Sequence, residues 1–262
     1  MSARSGIVTL LTDFGHRDPY VGIMKGVVLS VQPSVRLVDL THEVAPQDVT
    51  EAGFALCGSF PYFPPGTVHV VVVDPGVGTR RRIVCASAHG SIFLAPDNGV
   101  LTDVFAAADA LHEVTDTALF RDGELSQTFH GRDIFAPVAA RLAGGLDVAA
   151  VGPGIDDPVR LDHPTPAVQP GGAICGAVVH VDRFGNLITN IRADQIDALP
   201  EERCQVRILG VEVGTPVNSY GAVSPGAPLA IVDSYGYLEV AVNGGSAEKH
   251  FNALRGDSVR VG

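Results

Sequence analysis

The stretch over residues 6–12 (GIVTLLT) is a continuous apolar run that breaks off abruptly at Asp13-Phe14-Gly15. A run of this kind suits a strand buried on both faces of a parallel sheet, its last residues opening into a polar loop. The period then changes. Tyr20, Ile23, Met24, Val27, Val28 and Val31 recur at three and four residues and predict one apolar helix face, with Asp18 as its cap, Pro19 in its first turn and Pro33 as its stop. Residues 35–40 (VRLVDL) read as a second strand, and Asp48-Val49-Thr50-Glu51 resembles a capping box ahead of the apolar positions Phe54, Ala55 and Cys57. Residues 67–73 (TVHVVVV) read as a third strand, ending at Asp74. Strands alternating with helices predict a parallel sheet, and in open sheets of this kind ligands gather outside the carboxyl ends of the strands, where Asp13 and Asp74 are both placed.

From Gly152 to Gly172 the texture changes, with Pro153, Pro158, Pro164, Pro166 and Pro170 interrupting any regular pattern, as in an inter-domain connection. Short β-like segments follow at 177–181, 205–209, 229–232 and 237–242, separated by Gly, Pro, Asn and Ser. The expected organisation is therefore an N-terminal α/β domain over 1–157 with a mainly parallel central sheet, a linker over 158–172, and a smaller β barrel or sandwich over 173–262.

Composition narrows the function classes. At 46% hydrophobic and 18% charged residues, the chain has ample material for buried cores. A formal net charge of -11 argues against nucleic acid as a partner, because phosphates are bound mainly by clustered Lys and Arg. No apolar run approaches the ~20 residues that span a bilayer, and the first residues do not read as an export signal, so the expectation is a cytoplasmic protein with no membrane partner. Cys57, Cys85, Cys175 and Cys204 lie far apart with no C-x-x-C pair, suggesting neither a zinc site nor a disulfide framework; they are expected to be reduced and mostly in the core.

Three segments carry chemistry. The first is Asp74-Pro75-Gly76-Val77-Gly78-Thr79-Arg80-Arg81-Arg82, where Pro75 and two glycines allow a tight turn that presents a carboxylate and arginines at one loop mouth. A plain strand-terminal turn with solvated arginines accounts for the same residues. It is not a dinucleotide or phosphate-binding loop, since the third glycine and the Lys-Ser/Thr ending are missing. The second is Phe129-His130-Gly131-Arg132-Asp133, just before a helix running through Ala136, Val138, Ala139 and Leu142; its histidine is either a proton carrier or a hydrogen-bonded structural residue. The third pairs Asp182-Arg183-Phe184-Gly185-Asn186 with Ser234-Tyr235-Gly236-Tyr237, turns that ordinary β domains also contain.

Together with Thr12-Asp13-Phe14-Gly15 and Leu238-Glu239, these motifs resemble the S-adenosyl-L-methionine hydroxide adenosyltransferase family, relatives of the nucleoside fluorinases and chlorinases. The resemblance runs along nearly the whole chain. It implies an N-terminal α/β domain joined to a C-terminal β barrel, and a homotrimer whose active sites lie between the N-terminal domain of one subunit and the C-terminal domain of its neighbour. It also implies an S-adenosyl-L-methionine hydrolase that forms adenosine and L-methionine with no cofactor and no metal. By position, the hydrolytic trio falls on Asp74, Arg81 and His130. Asp13 would hold the ribose hydroxyls, Asp18 and Asp182 would lie near the methionine ammonium, Ser234 near its carboxylate, and Phe184 and Asn186 would frame the adenine. Tyr220 is similar to an aromatic that stacks on the base, and Tyr235 and Glu239 belong to the ligand-holding turn. The halogenating relatives have a tyrosine where Asp74 stands and lack the histidine at His130. A halogenase using the same pocket and a non-catalytic nucleoside sensor are the rival functions.

Overall fold

The computed structural model describes residues 4–262, leaving aside the side chain at 201. The chain forms two compact units, one ending at Leu161 and the other running Asp162–Gly262.

The first unit contains β1 (Ile7–Thr12), α1 (Tyr20–Val31), β2 (Arg36–Thr41), α2 (Val49–Ser59), β3 (Val68–Val72), β4 (Ile83–Ala88), β5 (Ser91–Pro96), β6 (Ala108–Glu113) and α3 (Ala136–Ala143). Its sheet runs β2-β1-β3-β5-β4-β6. Pairings from β2 to β5 are parallel, whereas β4 is antiparallel to both β5 and β6. Because successive strand residues point to opposite faces, Leu10, Val70 and Leu94 pack with Met24 of α1 and Val138 and Leu142 of α3 on one side. Leu11, Val71 and Phe93 pack with Ala52 and Leu56 of α2 on the other. The chain leaves β1 toward β2 on one flank and then crosses to β3 on the opposite flank. That reversal makes the carboxyl ends of β1 and β3 a topological switch point, the place where open α/β sheets bind ligands. With Thr12 paired to Val72, Asp13 and Asp74 leave the sheet at the same edge.

Several local expectations are corrected. Asp18 does not cap α1; Pro19 occupies the cap position without a side-chain bond. The buried stripe of α1 is Val21, Met24 and Val28, while Tyr20, Ile23 and Val31 are exposed, because α1 meets its neighbours along a line rotated from the one the periodicity suggests. Asp48 caps α2 by accepting from the Glu51 N–H, but Glu51 closes no box: its carboxylate accepts from the Ala45 N–H instead. Phe54, Ala55 and Cys57 are only half-buried, the fully packed positions being Ala52, Gly53 and Leu56. Of the cysteines, only Cys85 is in the core.

The second unit contains β7 (Ala167–Val168), β8 (Ile174–Val181), β9 (Leu187–Arg192), α4 (Ala193–Asp197), β10 (Val206–Ile208), β11 (Val211–Gly214), β12 (Pro216–Val217), β13 (Pro228–Val232), β14 (Tyr237–Val242), α5 (Ala247–Phe251) and β15 (Ser258–Val261). The strand path β11-β10-β15-β8-β9-β14-β13-β12 wraps a core that includes Ile174, Leu187, Val206, Leu238, Val240 and Val259, forming a nearly closed barrel. Strands β9, β11 and β15 were not among the segments legible as β-like. The proline-rich stretch is ordered by backbone bonds: Val159 N–H donates to Asp97, Leu161 N–H donates to Thr102, and β7 pairs with β8. Among the described residues no helix is long and apolar enough to cross a membrane.

Candidate active site

At the switch point, the loop after β3 folds back on itself. Gly78 adopts φ +77°, and a Cβ there would lie 2.3 Å from the Gln127 carbonyl oxygen, so only glycine lets this loop press against the chain leading to His130. The turn presents Arg81 to Asp74. Arg81 Nε donates to both carboxylate oxygens at 3.1 and 2.9 Å, and Nη2 donates to Oδ2 at 2.5 Å. The same Nη2 lies 2.7 Å from His130 Nδ1. The three side chains expected from the sequence thus form one bonded cluster. Arg82 turns away to Asp97 and Asp157, and Arg80 is exposed.

A guanidinium has donors only, so His130 Nδ1 accepts and the ring proton sits on Nε2. Burial and the positive charge of Arg81 both hold the His130 pKa below its ordinary value, which keeps the imidazole neutral. His130 immediately precedes a short π-helical turn, Gly131–Phe135, that leads into α3. Asp133 in this turn is fully buried and accepts from Arg121, Arg132 and the Ser126 N–H. Burial opposes its ionisation, yet these partners hold its carboxyl well below the usual carboxylate range. Asp133 therefore braces the motif structurally, a role the sequence reading missed because Arg121 lies in another segment.

Asp13, at the end of β1, accepts from the Gln47 N–H at 2.8 Å. Beside it Phe14, Tyr20 and Phe129 form an edge-on ring cluster with centroids 5.2–6.1 Å apart. Asp18 is exposed at the entry to α1 and bonds to none of these groups.

The second unit carries two hairpin loops of the same construction. In the β8–β9 loop, Asp182 Oδ1 accepts from the N–H groups of Phe184 and Asn186, and Oδ2 accepts from Asn186 Nδ2. In the β13–β14 loop, Asp233 Oδ1 accepts from the N–H groups of Tyr235 and Tyr237, while its Oδ2 is buried without a hydrogen bond among the described residues. Each loop passes through a left-handed glycine, Gly185 and Gly236, and each displays an aromatic ring: Phe184 is 76% exposed and Tyr235 46% exposed. Exposed rings of this size on a β domain are surfaces for stacking or docking. Ser234 is exposed in the same loop as Tyr235. Asn186 is buried just before β9.

Glu239 on β14 is buried and accepts from the Tyr220 hydroxyl at 2.9 Å. Burial, together with the charges of Asp182 and Asp233, pushes its carboxyl up to about 7. Tyr220 itself is pushed up to about 12 by burial and by Glu239. The cluster gathers negative charge suited to a cationic ligand. Asp233 was not recognised in sequence; the repeated spacing Asp-x-aromatic-Gly, shared with residues 182–185, is the signal that marks it. Among the described residues no group of three or more His, Cys, Asp or Glu side chains is placed to hold a metal ion.

Residues 8–152 match the profile of the SAM hydroxide adenosyltransferase N-terminal domain, and residues 176–260 match that of the corresponding C-terminal domain. The chain is 39% identical over 260 residues to an (R)-S-adenosyl-L-methionine hydrolase of Salinispora tropica, covering 97% of each protein. It is 40% identical to an enzyme of the same name from Thermus thermophilus, covering 97% of this chain and 98% of that one. Fluorinases match more distantly, one from Actinoplanes at 31% identity. A crystal structure of an uncharacterized conserved protein from Thermotoga maritima superposes with a TM-score of 0.90 at 38% identity, covering 97% of this chain and 99% of that one. With both domain profiles matched in order and relatives of this identity along the full length, the chain belongs to the SAM hydroxide adenosyltransferase family.

Proposed function

We propose that this protein hydrolyses S-adenosyl-L-methionine to adenosine and L-methionine by in-line attack of water on the ribose C5′ carbon, with the sulfonium departing as methionine. The observation that carries this reading is the bonded cluster of Asp74, Arg81 and a neutral His130 at the switch point of the sheet. The attacking water gives up a proton, which leaves to solvent, and a guanidinium within ~4 Å of the developing hydroxide is worth at most about 4 kcal/mol at an effective dielectric near 20, reduced by the Asp74 carboxylate paired with it. Asp74 holds Arg81 in place, orients the nucleophile and touches the ribose, and His130 completes the hydrogen-bond set around the nucleophile. Fixing the oxygen opposite the C5′–S bond supplies further acceleration through lost freedom already spent on binding.

Asp13 takes the ribose hydroxyls, Asn186 and Phe184 frame the adenine with Tyr220 against it, and Asp182, Ser234, Tyr235 and Glu239 receive the methionine end, with Asp18 near its ammonium. The relatives' name specifies the R configuration at sulfur, and we extend that preference to this chain. The assembly is a cytoplasmic homotrimer in which the N-terminal domain of one subunit meets the C-terminal domain of the next. A halide-transferring function is disfavoured by Asp74, because a halide arrives already charged beside the carboxylate whereas water arrives neutral.

The test is incubation with each sulfur epimer in 18O-labelled water, with chloride or fluoride present, followed by chromatography and mass spectrometry. Adenosine carrying the label at C5′, with no 5′-halo-adenosine, is the expected result. Bound but intact substrate would favour a sensor, and a halonucleoside would favour a halogenase.

A further inference from the structure

The turn that follows β1 is gripped by a residue with no part in the reading above. His42, just past β2, is fully buried. Its main-chain carbonyl accepts the Gly15 N–H at 2.7 Å, and its Nδ1 lies 2.9 Å from Thr12 Oγ1. Its Nε2 is 3.0 Å from Asp39 Oδ1, close but without the alignment of a hydrogen bond, and Asp39 is bonded to Lys25 at 2.6 Å. Thr12 Oγ1 in turn accepts the Phe14 N–H at 3.2 Å. The charged or titratable groups facing the imidazole are Asp39 from β2, Lys25 from α1, and His16, whose ring stands edge-on at 5.2 Å.

The polarity of this chain of contacts follows from chemistry. A ring nitrogen 3.0 Å from a carboxylate oxygen must carry the proton, because two lone pairs would repel there. Burial lowers the His42 pKa and keeps the ring neutral, so Nδ1 is an acceptor. The Thr12 hydroxyl therefore donates to His42 and is left to accept from Phe14. The two anchors, Phe14 N–H through Thr12 and Gly15 N–H directly on His42, bracket the turn immediately after Asp13. Asp13 Oδ2 is held by the Gln47 N–H, and among the described residues Oδ1 takes no hydrogen bond. Burying an imidazole costs desolvation that an apolar side chain would avoid. Here its hydrogen bonds are directed at the segment that aims one carboxylate.

We infer that His42 is a positioning residue that sets the preference for a ribose bearing both hydroxyls, by fixing the Asp13 turn through Thr12. The inference rests on the reading of Asp13 as the ribose-holding carboxylate. A carboxylate held in one orientation discriminates sharply between a hydroxylated sugar and its deoxy counterpart, whereas a turn free to move does not.

The experiment compares calorimetric affinities for adenosine and 2′,3′-dideoxyadenosine in the wild type, Thr12→Val, His42→Leu and His42→Asn, alongside kcat and KM. Thr12→Val keeps the side-chain shape and removes only the relay hydroxyl. The wild type should favour adenosine by roughly 100-fold, the range expected for hydrogen bonds to a charged group. That ratio should fall about 10-fold in Thr12→Val and His42→Leu, with KM rising more than kcat falls, and should be largely restored in His42→Asn, whose amide reaches Thr12 from the Nδ1 position. A wild-type ratio near one overturns the reading of Asp13 and this inference with it. A large wild-type ratio that persists in Thr12→Val overturns the positioning role alone, even if thermal stability drops.

Discussion

Arg81 Nη2 and His130 Nδ1 are 2.7 Å apart, and since only the arginine can donate, the histidine is an acceptor that works in its neutral form. Protonation would place a second positive charge against the guanidinium and break the contact. Turnover should therefore fall as pH drops through a His130 pKa that burial and Arg81 hold below 6.5. In His130→Asn, whose carbonyl accepts but does not titrate, kcat should be lower by about 10- to 100-fold and flat from pH 5 to 7. A pH–kcat profile of both proteins checks this; an acid limb surviving in the variant assigns it to another group.

The Asp74–Arg81 pair predicts a split between catalysis and binding. Arg81→Ala should lower kcat on the order of 100-fold or more while changing substrate affinity little, because its interaction grows as charge develops on the attacking oxygen. Arg81→Lys should recover little, since a point charge cannot reproduce a fork that engages Asp74 and His130 together. Asp74→Ala should weaken binding as well and cost ~3 kcal/mol of stability by leaving a partly buried cation unpaired. Steady-state kinetics, calorimetric affinities and denaturant melts on the folded variants decide it; unchanged kcat in all of them would remove this cluster from the mechanism.

Glu239 predicts a pH-dependent stability with a defined sign. Its folded pKa of about 7 lies above the ordinary 4.5, so the native state binds more protons than the unfolded one between those values. Stability from this group is complete below the ordinary value and is lost as pH rises through 7. Glu239→Gln keeps an acceptor for Tyr220 without the titration, and should melt several degrees above the wild type at pH 8 but level with it at pH 4.5. Equal melting temperatures at both pH values would mean that Glu239 ionises normally.

Gly78→Ala should destabilise the loop that carries Arg81 by about 2 kcal/mol or more, through positive φ and a Cβ driven into the Gln127 carbonyl. Because that contact joins the Arg81 loop to the segment before His130, kcat should fall together with the melting temperature.

Local pattern determined much of this protein. The apolar run ending at Asp13, the strand ending at Asp74 and the helical periods between them are short-range signals, and they sufficed to place both carboxylates at the edge of a parallel sheet. Other features lay beyond that reach. The β4–β5 turn uses His89-Gly90 and the β10–β11 turn uses Leu209-Gly210, all at positive φ, where a histidine or leucine has little local preference to announce a hairpin. The buried stripe of α1 was set by what packs against it rather than by the spacing of its apolar residues. Which of three consecutive arginines faces Asp74, that Arg82 instead pairs with Asp97 and Asp157, and that His42 lies beneath the Asp13 turn were decided only in the folded chain. A sequence records a residue's chemistry and its near neighbours, but contacts between positions tens of residues apart exist only once the strands have settled their order and the side chains compete for the same buried space.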